Sequence, residues 1–228
     1  MKLSAFVFSF LAAVIVAIAP AHAQDPKPFQ GPYVGLHGGY AWQGISGAFD
    51  NMGSNTPLSS IDLDSGILGG QIGYSRQVGQ FMWGVEADAT AAIGSSGSVI
   101  NPDPPVYEQL SAQAAYLGSV RGRLGYVMDD VLAYATLGIG FAEFKFSENA
   151  PAQPFMGSMR LQETGIVYGG GLEWKIAYGV SVRAEYLHYD VGGIAYIPAS
   201  FPISDTGDYV KFDDIDVARA GINISLDQ

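Results

Sequence analysis

The amino-acid sequence predicts an all-β fold, an eight-stranded antiparallel up-and-down transmembrane β-barrel. Three observations lead to this fold class. About eight segments alternate apolar and polar residues with period two, the connections between them are alternately short and long, and aromatic residues fall at two levels along the segments. The composition agrees, because 30 of the 228 residues are glycine, 12 % are aromatic and only 14 % are charged. Such a composition is typical of β-rich proteins with tight turns.

The composition also excludes several kinds of chemistry and partner. The chain has no cysteine, which excludes disulfides and thiol catalysis. Its formal net charge is −11, whereas a nucleic-acid partner would require clustered Lys and Arg to bind phosphates. We therefore expect no nucleic-acid partner, and we assign the acidity to solubility and exposed loops.

The first 23 residues have the organisation of a cleaved signal peptide. Lys2 precedes an apolar stretch at residues 3–18, and the Ala-His-Ala triplet at 21–23 matches the small-x-small cleavage pattern. We expect cleavage before Gln24, and the clean triplet disfavours the alternative of a retained membrane anchor. No later stretch has the roughly 20 consecutive apolar residues of a spanning helix, so residence in a membrane would require a barrel.

The predicted organisation has three parts: a signal peptide at 1–23, a proline-containing periplasmic leader at 24–31, and an outer-membrane β-barrel at 32–228. Within the third part, the alternation of apolar and polar residues predicts eight strands. They lie at approximately 34–42, 68–75, 81–90, 116–126, 131–141, 168–174, 180–186 and 218–226.

The lengths of the connections between these strands predict how the barrel is oriented in the membrane. Short connections at 77–80, 127–130 and 176–179 alternate strictly with long ones at 45–64, 94–110, 147–162 and 193–213. Outer-membrane barrels have short periplasmic turns and long outside loops, so we expect both termini in the periplasm. The long connections are acidic and rich in Ser, Asn, Gly and Pro, which predicts mobile surface loops.

Aromatic residues provide an independent indication of a membrane-spanning barrel. They fall either beside the short turns or near the long loops, as in the two aromatic girdles at membrane interfaces. Tyr116 and Tyr126 lie on one face of one strand, separated by about the ~10 residues of a tilted transmembrane strand. The predicted girdle residues are Trp42, Tyr116 and Tyr186 near the loops, and Trp83, Tyr126 and Trp174 near the turns.

The two faces of the predicted strands differ in polarity, which indicates the face that points inward. One face is apolar, and the other carries charged residues together with His37, Gln71 and Asn223. In a soluble lipocalin-like barrel, the structural alternative, the charged face would point to water. We favour the membrane orientation because the charges are sparse, nearly balanced and able to pair inside a closed lumen. The predicted lumen charge network consists of Glu86, Asp88, Arg121, Arg123, Glu173, Arg183, Glu185 and Arg219.

Five segments resemble the small outer-membrane β-barrel family that includes the outer-membrane immunogenic and porin-family proteins. They are GPYVGLHGGY at 31–40, GILGGQIGY at 66–74, GVEAD at 84–88, GSVRGRLGY at 118–126 and VRAEY at 182–186. The resemblance runs from about Gly31 to the C-terminus and implies an eight-stranded OmpA-like barrel in a Gram-negative outer membrane, with no peptidoglycan-binding domain after it. Such barrels usually end on an aromatic residue recognised by the assembly machinery. This chain departs from that pattern, and Leu226 is the residue placed to take the role.

We expect no catalytic residues, no cofactor and no metal site. A lipid hydrolase or acyltransferase would need a serine within reach of a base, and nothing near His188 in the sequence supplies one. We expect His37 to point inward and to hydrogen-bond with the lumen charges. Two distant histidines without cysteine also lack the spacing of metal ligands.

The predicted function is structural: envelope integrity and the exposure of antigenic or adhesive loops at the surface. The expected partners are outer-membrane lipid and lipopolysaccharide, the barrel-assembly machinery, and host or surface molecules that contact the loops. The alternative is a narrow porin-like channel for ions or small solutes, although eight strands enclose an interior that side chains can fill.

Overall fold

The computed structural model describes residues 29–51, 54–57, 61–93, 97–101, 108–149, 156–196 and 209–227. The predicted signal peptide and the first five residues of the predicted leader lie outside the described residues. Within the described residues, no helix has the length and apolar character needed to cross a membrane.

The described residues are almost entirely β-strand. In chain order the strands are β1 (Gly31–Trp42), β2 (Gly44–Asn51), β3 (Ser54–Pro57), β4 (Ile61–Asp62), β5 (Ser65–Val78), β6 (Phe81–Ile93), β7 (Gly97–Asn101), β8 (Glu108–Met128), β9 (Val131–Asn149), β10 (Met156–Ala177), β11 (Val180–Asp190), β12 (Gly193–Tyr196), β13 (Tyr209–Phe212) and β14 (Ile215–Ser225).

Eight of these strands close into an antiparallel barrel, which confirms the predicted fold class. Around the barrel the order is β1, β5, β6, β8, β9, β10, β11 and β14, and β14 pairs with β1 to complete the ring. The closing register joins Tyr33 to Ser225 at one end and Trp42 to Asp216 at the other. Closure therefore pairs each of the eight strands on both sides, as a sheet in hydrocarbon requires.

The three predicted short connections are tight turns at residues 79–80, 129–130 and 178–179. Gly79 and Gly179 have φ values of 62° and 70°, and Asp129 has a φ of 52°. Glycine adopts this left-handed region freely, and aspartate tolerates it better than most residues. We call this end of the barrel the turn end, and the opposite end the loop end.

Side chains alternate between the lumen and the outer surface along the barrel strands. The outer surface is apolar: Leu36, Leu124 and Leu137, for example, are 65 %, 70 % and 63 % exposed. A soluble barrel would keep such residues inside, so this polarity excludes the lipocalin-like alternative and matches a barrel surrounded by lipid.

The long connections differ from the predicted surface loops, because their described parts are strands. Strands β2, β3, β4, β12 and β13 form a second, five-stranded sheet, and β7 pairs with β8. Strands β8, β9 and β10 have 21, 19 and 22 residues, about twice the ~10 residues of a membrane span. The rest of the predicted loops, at 52–53, 58–60, 94–96, 102–107, 150–155 and 197–208, lies outside the described residues.

Continued backbone pairing explains why these strands extend past the predicted ends. Once two antiparallel strands are in register, each added residue pair gains hydrogen bonds and cross-strand contacts in water as well as in lipid. The alternation also continues, since the predicted end of β9 at Phe141 is followed by the inward and buried Phe144.

Candidate functional site: the barrel lumen

The structure places all eight residues of the predicted charge network inside the barrel and brings them together. Each of these residues is at most 8 % exposed. Glu86 and Asp88 come from β6, Arg121 and Arg123 from β8, Glu173 from β10, Arg183 and Glu185 from β11, and Arg219 from β14. We call these eight residues the lumen charge network.

Glu86 lies at the centre of the lumen charge network. Its Oε1 accepts a hydrogen bond from Arg121 Nη2 at 2.5 Å. Its Oε2 accepts hydrogen bonds from Arg183 Nη1 at 2.5 Å and Arg123 Nη1 at 3.3 Å. Arg219 Nη2 lies 3.7 Å from Oε1. All four arginines therefore approach a single buried carboxylate.

Two further carboxylates share the arginines on the loop-end side of Glu86. Glu185 lies 3.0 Å from Arg121 Nη1 and 2.7 Å from Arg219 Nη2. Asp88 lies 2.9 Å from Arg219 Nη1 and 3.2 Å from Arg121 Nη2. The network contains four arginines and four carboxylates, so its formal charges cancel. This balance matters because an uncompensated charge in such a buried place would cost several kcal/mol.

Glu173 is the carboxylate nearest the turn end, and neutral donors complete its hydrogen bonding. It accepts hydrogen bonds from Arg123 Nη2 at 2.8 Å, from Ser181 Oγ at 2.5 Å and from Asn223 Nδ2 at 2.8 Å. These donors stand where water would otherwise solvate the carboxylate, which lowers the cost of burying it.

Two tyrosines, which the charge pattern did not identify, form hydrogen bonds to the lumen charge network. The Tyr33 hydroxyl donates to Glu86 Oε2 at 2.7 Å and accepts from Arg123 Nη1 at 2.6 Å. The Tyr134 hydroxyl donates to Glu185 Oε1 at 3.1 Å, and its ring centroid lies 4.0 Å from the Arg123 guanidinium carbon. Both tyrosines occupy inward positions of the period-two pattern, which is the signal that could have identified them.

The three polar residues predicted on the inward face also lie in the lumen, beside the charges. His37 Nδ1 is 2.6 Å from Gln71 Oε1, and His37 Nε2 is 2.8 Å from Thr90 Oγ1. The Gln71 amide donates to Asn223 Oδ1 at 2.8 Å. Arg219 Nη1 lies 3.3 Å from His37 Nε2, so this polar chain is continuous with the lumen charge network.

Glycines on the inward face accommodate the largest lumen side chains. A Cβ added to Gly138 would lie 2.9 Å from Arg121 Cγ, and one added to Gly171 would lie 2.8 Å from the Tyr134 hydroxyl. Both contacts are too short for a carbon atom. The interior glycines at these positions are therefore packed against large side chains and do not open a pore.

Apolar side chains cover the network at both ends, a feature that the sequence analysis missed. The turn-end apolar layer consists of Phe29, Met82, Val127, Leu132 and Tyr134. The larger loop-end apolar layer consists of Ala41, Leu63, Ile67, Leu117, Ala142, Phe144, Val167, Leu187, Tyr189, Val191, Ile215 and Val217. The available signal was that near the long connections the inward positions become apolar as well, as at 187, 189 and 191.

A small cavity lies at the turn end, next to Phe29, Tyr33, Glu173 and Lys175. Its volume is about 30 Å³, which is enough to hold a water molecule. It is far smaller than the roughly 300–1,000 Å³ of typical ligand pockets.

The six predicted girdle residues all lie exposed on the outer surface of the barrel. Trp83, Tyr126 and Trp174 are near the turn end, and Trp42, Tyr116 and Tyr186 are toward the loop end. This arrangement resembles the aromatic belts of outer-membrane barrels, where amphipathic rings sit at the level of the lipid headgroups.

His188 lies near the loop end, in a polar cluster on the outer surface. Its Nδ1 is 2.7 Å from Asp216 Oδ1, which also accepts a hydrogen bond from the Tyr186 hydroxyl at 2.6 Å. Its Nε2 is 3.7 Å from Asp214 Oδ2. Among the described residues, no serine is hydrogen-bonded to His188, and no group of three or more potential ligands is arranged to hold a metal ion.

We predict that Arg183→Ala destabilises the folded barrel by about 3–5 kcal/mol, because it leaves a buried carboxylate with one cation fewer. The matched control is Arg160→Ala, which removes an ion pair to Glu143 in which the arginine side chain is 62 % exposed. An exposed pair of this kind contributes about 0–1 kcal/mol. Denaturant unfolding of the barrel in lipid vesicles measures both variants, and equal losses would contradict a stabilising role for the lumen charge network.

Comparisons with known proteins agree with this architecture. Residues 9–224 match the family model described as the outer membrane protein beta-barrel domain. The chain is 28 % identical over 178 residues to the 25 kDa outer-membrane immunogenic protein of Brucella abortus, covering 78 % of this chain and 73 % of that protein. It is 26 % identical over 200 residues to the 31 kDa outer-membrane immunogenic protein of Brucella melitensis, covering 82 % and 83 %.

Among solved structures, the fold is similar to that of the outer membrane protein OprG from Pseudomonas aeruginosa. The TM-score is 0.58 at 15 % sequence identity, and the match covers 86 % of this chain and 98 % of that one. The family match extends over nearly the whole chain, and the closed barrel with its apolar exterior is the structure that such a family requires. The chain therefore belongs to the outer membrane protein beta-barrel domain family and is a β-barrel of the outer membrane.

Proposed function

We propose that this protein is a closed membrane anchor that supports the envelope and presents a folded β-structure at the cell surface. The observation that carries this proposal is the filling of the lumen in three layers. The lumen charge network crosses the interior, and an apolar layer covers it at each end. An interior filled in this way gives the barrel rigidity, and it opposes the passage of water or ions.

The proposed orientation has both termini and the three tight turns in the periplasm, and the loop end outside. Support comes from the strict alternation of short and long connections, which is the arrangement of bacterial outer-membrane barrels. In this orientation residues 1–23 direct export and are removed. The barrel-assembly machinery acts at the C-terminal strand, where Leu226 is exposed and its backbone N–H donates to the Pro32 carbonyl at 2.8 Å.

The loop end is the proposed contact surface for lipopolysaccharide and for host or other surface molecules. The segments that connect the five-stranded sheet to the barrel strands are held together by backbone hydrogen bonds, from Leu63 N–H to the Gln43 carbonyl at 2.8 Å and from Asp213 N–H to the Gly44 carbonyl at 3.0 Å. A structured surface of this kind presents a defined epitope, which is consistent with the word immunogenic in the names of the Brucella relatives. The polar cluster around His188 then lies at the outer lipid interface, and we propose an interfacial role for it and no catalysis.

The second candidate function is a narrow channel for ions or small solutes. The cavity at the turn end favours it, since Glu173 and Lys175 line that cavity and would allow water to enter the lumen from one side. For conduction, the loop-end apolar layer would have to move as well, which makes the closed anchor the better-supported proposal.

We predict that the full-length protein, purified from outer membranes and inserted in a planar bilayer, produces no steady single-channel openings. The physical reason is that ion passage would require the lumen charge network and the two apolar layers to move apart. Reproducible openings whose conductance changes in Arg121→Gln or Glu185→Gln would instead support the channel. Circular dichroism and protease protection of the same sample establish that a silent barrel is folded and inserted.

We also predict that an epitope inserted within residues 197–208 is labelled by antibody on intact cells. The physical reason is that a long connection emerges at the loop end, which is outside in the proposed orientation. The matched control is the same epitope inserted in the turn at 129–130, which should be labelled only after lysis. The reverse pattern would overturn the proposed orientation.

A further inference from the structure

The lipid-facing surface has an apolar groove near the turn end. The groove is largely open to its surroundings, has a volume of about 650 Å³ and is lined mostly by apolar side chains. The side chains that form it on the outer surface are Phe81, Trp83, Leu124, Tyr126, Ala133 and Ala135.

The register between β8 and β9 explains why a groove forms here. Ala133 lies opposite Tyr126, and Ala135 lies opposite Leu124, so two small side chains on β9 alternate with large ones on β8. Contacts of the residues that line the groove hold its aromatic side chains in place. The Phe81 and Tyr126 rings meet edge to face with centroids 5.5 Å apart, and the Tyr126 hydroxyl donates to Gln80 Oε1 at 2.5 Å.

A cation lies beside the groove. Arg76 on β5 is directly opposite Trp83 on β6, and the side chains of such a pair are neighbours on one face of a sheet. Arg76 is exposed, and among the described residues it has no carboxylate partner or side-chain hydrogen bond. On the other side of the groove, the turn at 129–130 carries two exposed aspartates, which would repel an anionic group there. The charges therefore favour an anion at the Arg76 side.

We propose that this groove is a binding site for a phospholipid of the periplasmic leaflet, with one acyl chain against Ala133 and Ala135 and the phosphate at Arg76. The groove is continuous with the apolar surface that already faces lipid, so an acyl chain reaches it without leaving the bilayer. An arginine guanidinium near a phosphate supplies a charge-assisted hydrogen bond, and the aromatic residues lie at the headgroup level. The assignment to the periplasmic leaflet rests on the proposed orientation of the barrel. The apolar groove and the neighbouring Arg76 would suit a phospholipid in either orientation.

The first test maps where a phospholipid lies on the barrel. The full-length protein is reconstituted in vesicles of phosphatidylcholine containing phosphatidylglycerol with a photoreactive diazirine in its acyl chain, and crosslinked residues are identified by mass spectrometry. We expect crosslinks concentrated on β8 and β9 at the groove. Ala135→Leu fills the groove and should remove these crosslinks, whereas the control Ala184→Leu, at an exposed position on the outer surface of β11, should not change them.

The second test concerns the phosphate. Arg76→Gln should lower the affinity for phosphatidylglycerol, measured by native mass spectrometry, by about tenfold, as expected for the loss of one charge-assisted contact. Arg160→Gln, at an exposed arginine near the loop end, is the matched control and should keep wild-type affinity. Diacylglycerol, which has no phosphate, should bind wild type and Arg76→Gln equally.

Two results would overturn the proposal. One is crosslinking spread evenly around the barrel and unchanged by Ala135→Leu. The other is efficient disulfide formation between two copies of Ala135→Cys in vesicles, which would assign the groove to a second copy of the chain. Both leaflets of these vesicles contain the phospholipid, so the outcome does not depend on the orientation that the epitope experiment tests.

Discussion

In hydrocarbon, a backbone N–H or C=O without a hydrogen-bond partner costs several kcal/mol, and the pairing of β14 with β1 removes the last free edge of this sheet. Closure also divides the side chains into two sets. Those on one face meet lipid and must be apolar, and those on the other face meet each other in a narrow interior. The composition of the lumen follows from this division, because a charge on the inner face has little water to solvate it.

The lumen charge network satisfies that requirement collectively. A buried ion pair does not by itself stabilise a fold, since the cost of removing two charges from water can exceed their attraction. Here each carboxylate contacts more than one donor, and Glu86 is approached by four arginines. Tyrosine, serine and asparagine side chains donate further hydrogen bonds to the carboxylates. An arrangement in which many strands share the same few charges also specifies the register, because a shift of one residue would place the charges in lipid.

The loop end obeys a different constraint. Beyond the membrane level water can solvate the backbone, so the barrel need not stay closed. The barrel sheet itself continues in the extended strands β8, β9 and β10 with β7, and β2, β3, β4, β12 and β13 form a separate sheet. The loop-end apolar layer lies where the barrel opens into these sheets. It lies next to the lumen charges at this end, so the same fold combines a charged barrel interior with extended β-structure at the loop end.

The sequence by itself determined the fold class, the number of barrel strands, the positions of the tight turns and the face to which each charged residue belongs. These properties are local, because about ten neighbouring residues are enough to reveal a period-two alternation or a turn. Partners across the lumen depend on register and closure, so only the tertiary structure decided that Arg183 contacts Glu86, 97 residues away in the chain. The same holds for the depth of each inward residue, which places Leu187 in an apolar layer and Glu185, one step along the same face, in the network. The extension of β8, β9 and β10 was missed for a related reason. Strand length outside the membrane is set by pairing with neighbouring strands, so the alternation of residues within one segment does not predict where the strand ends.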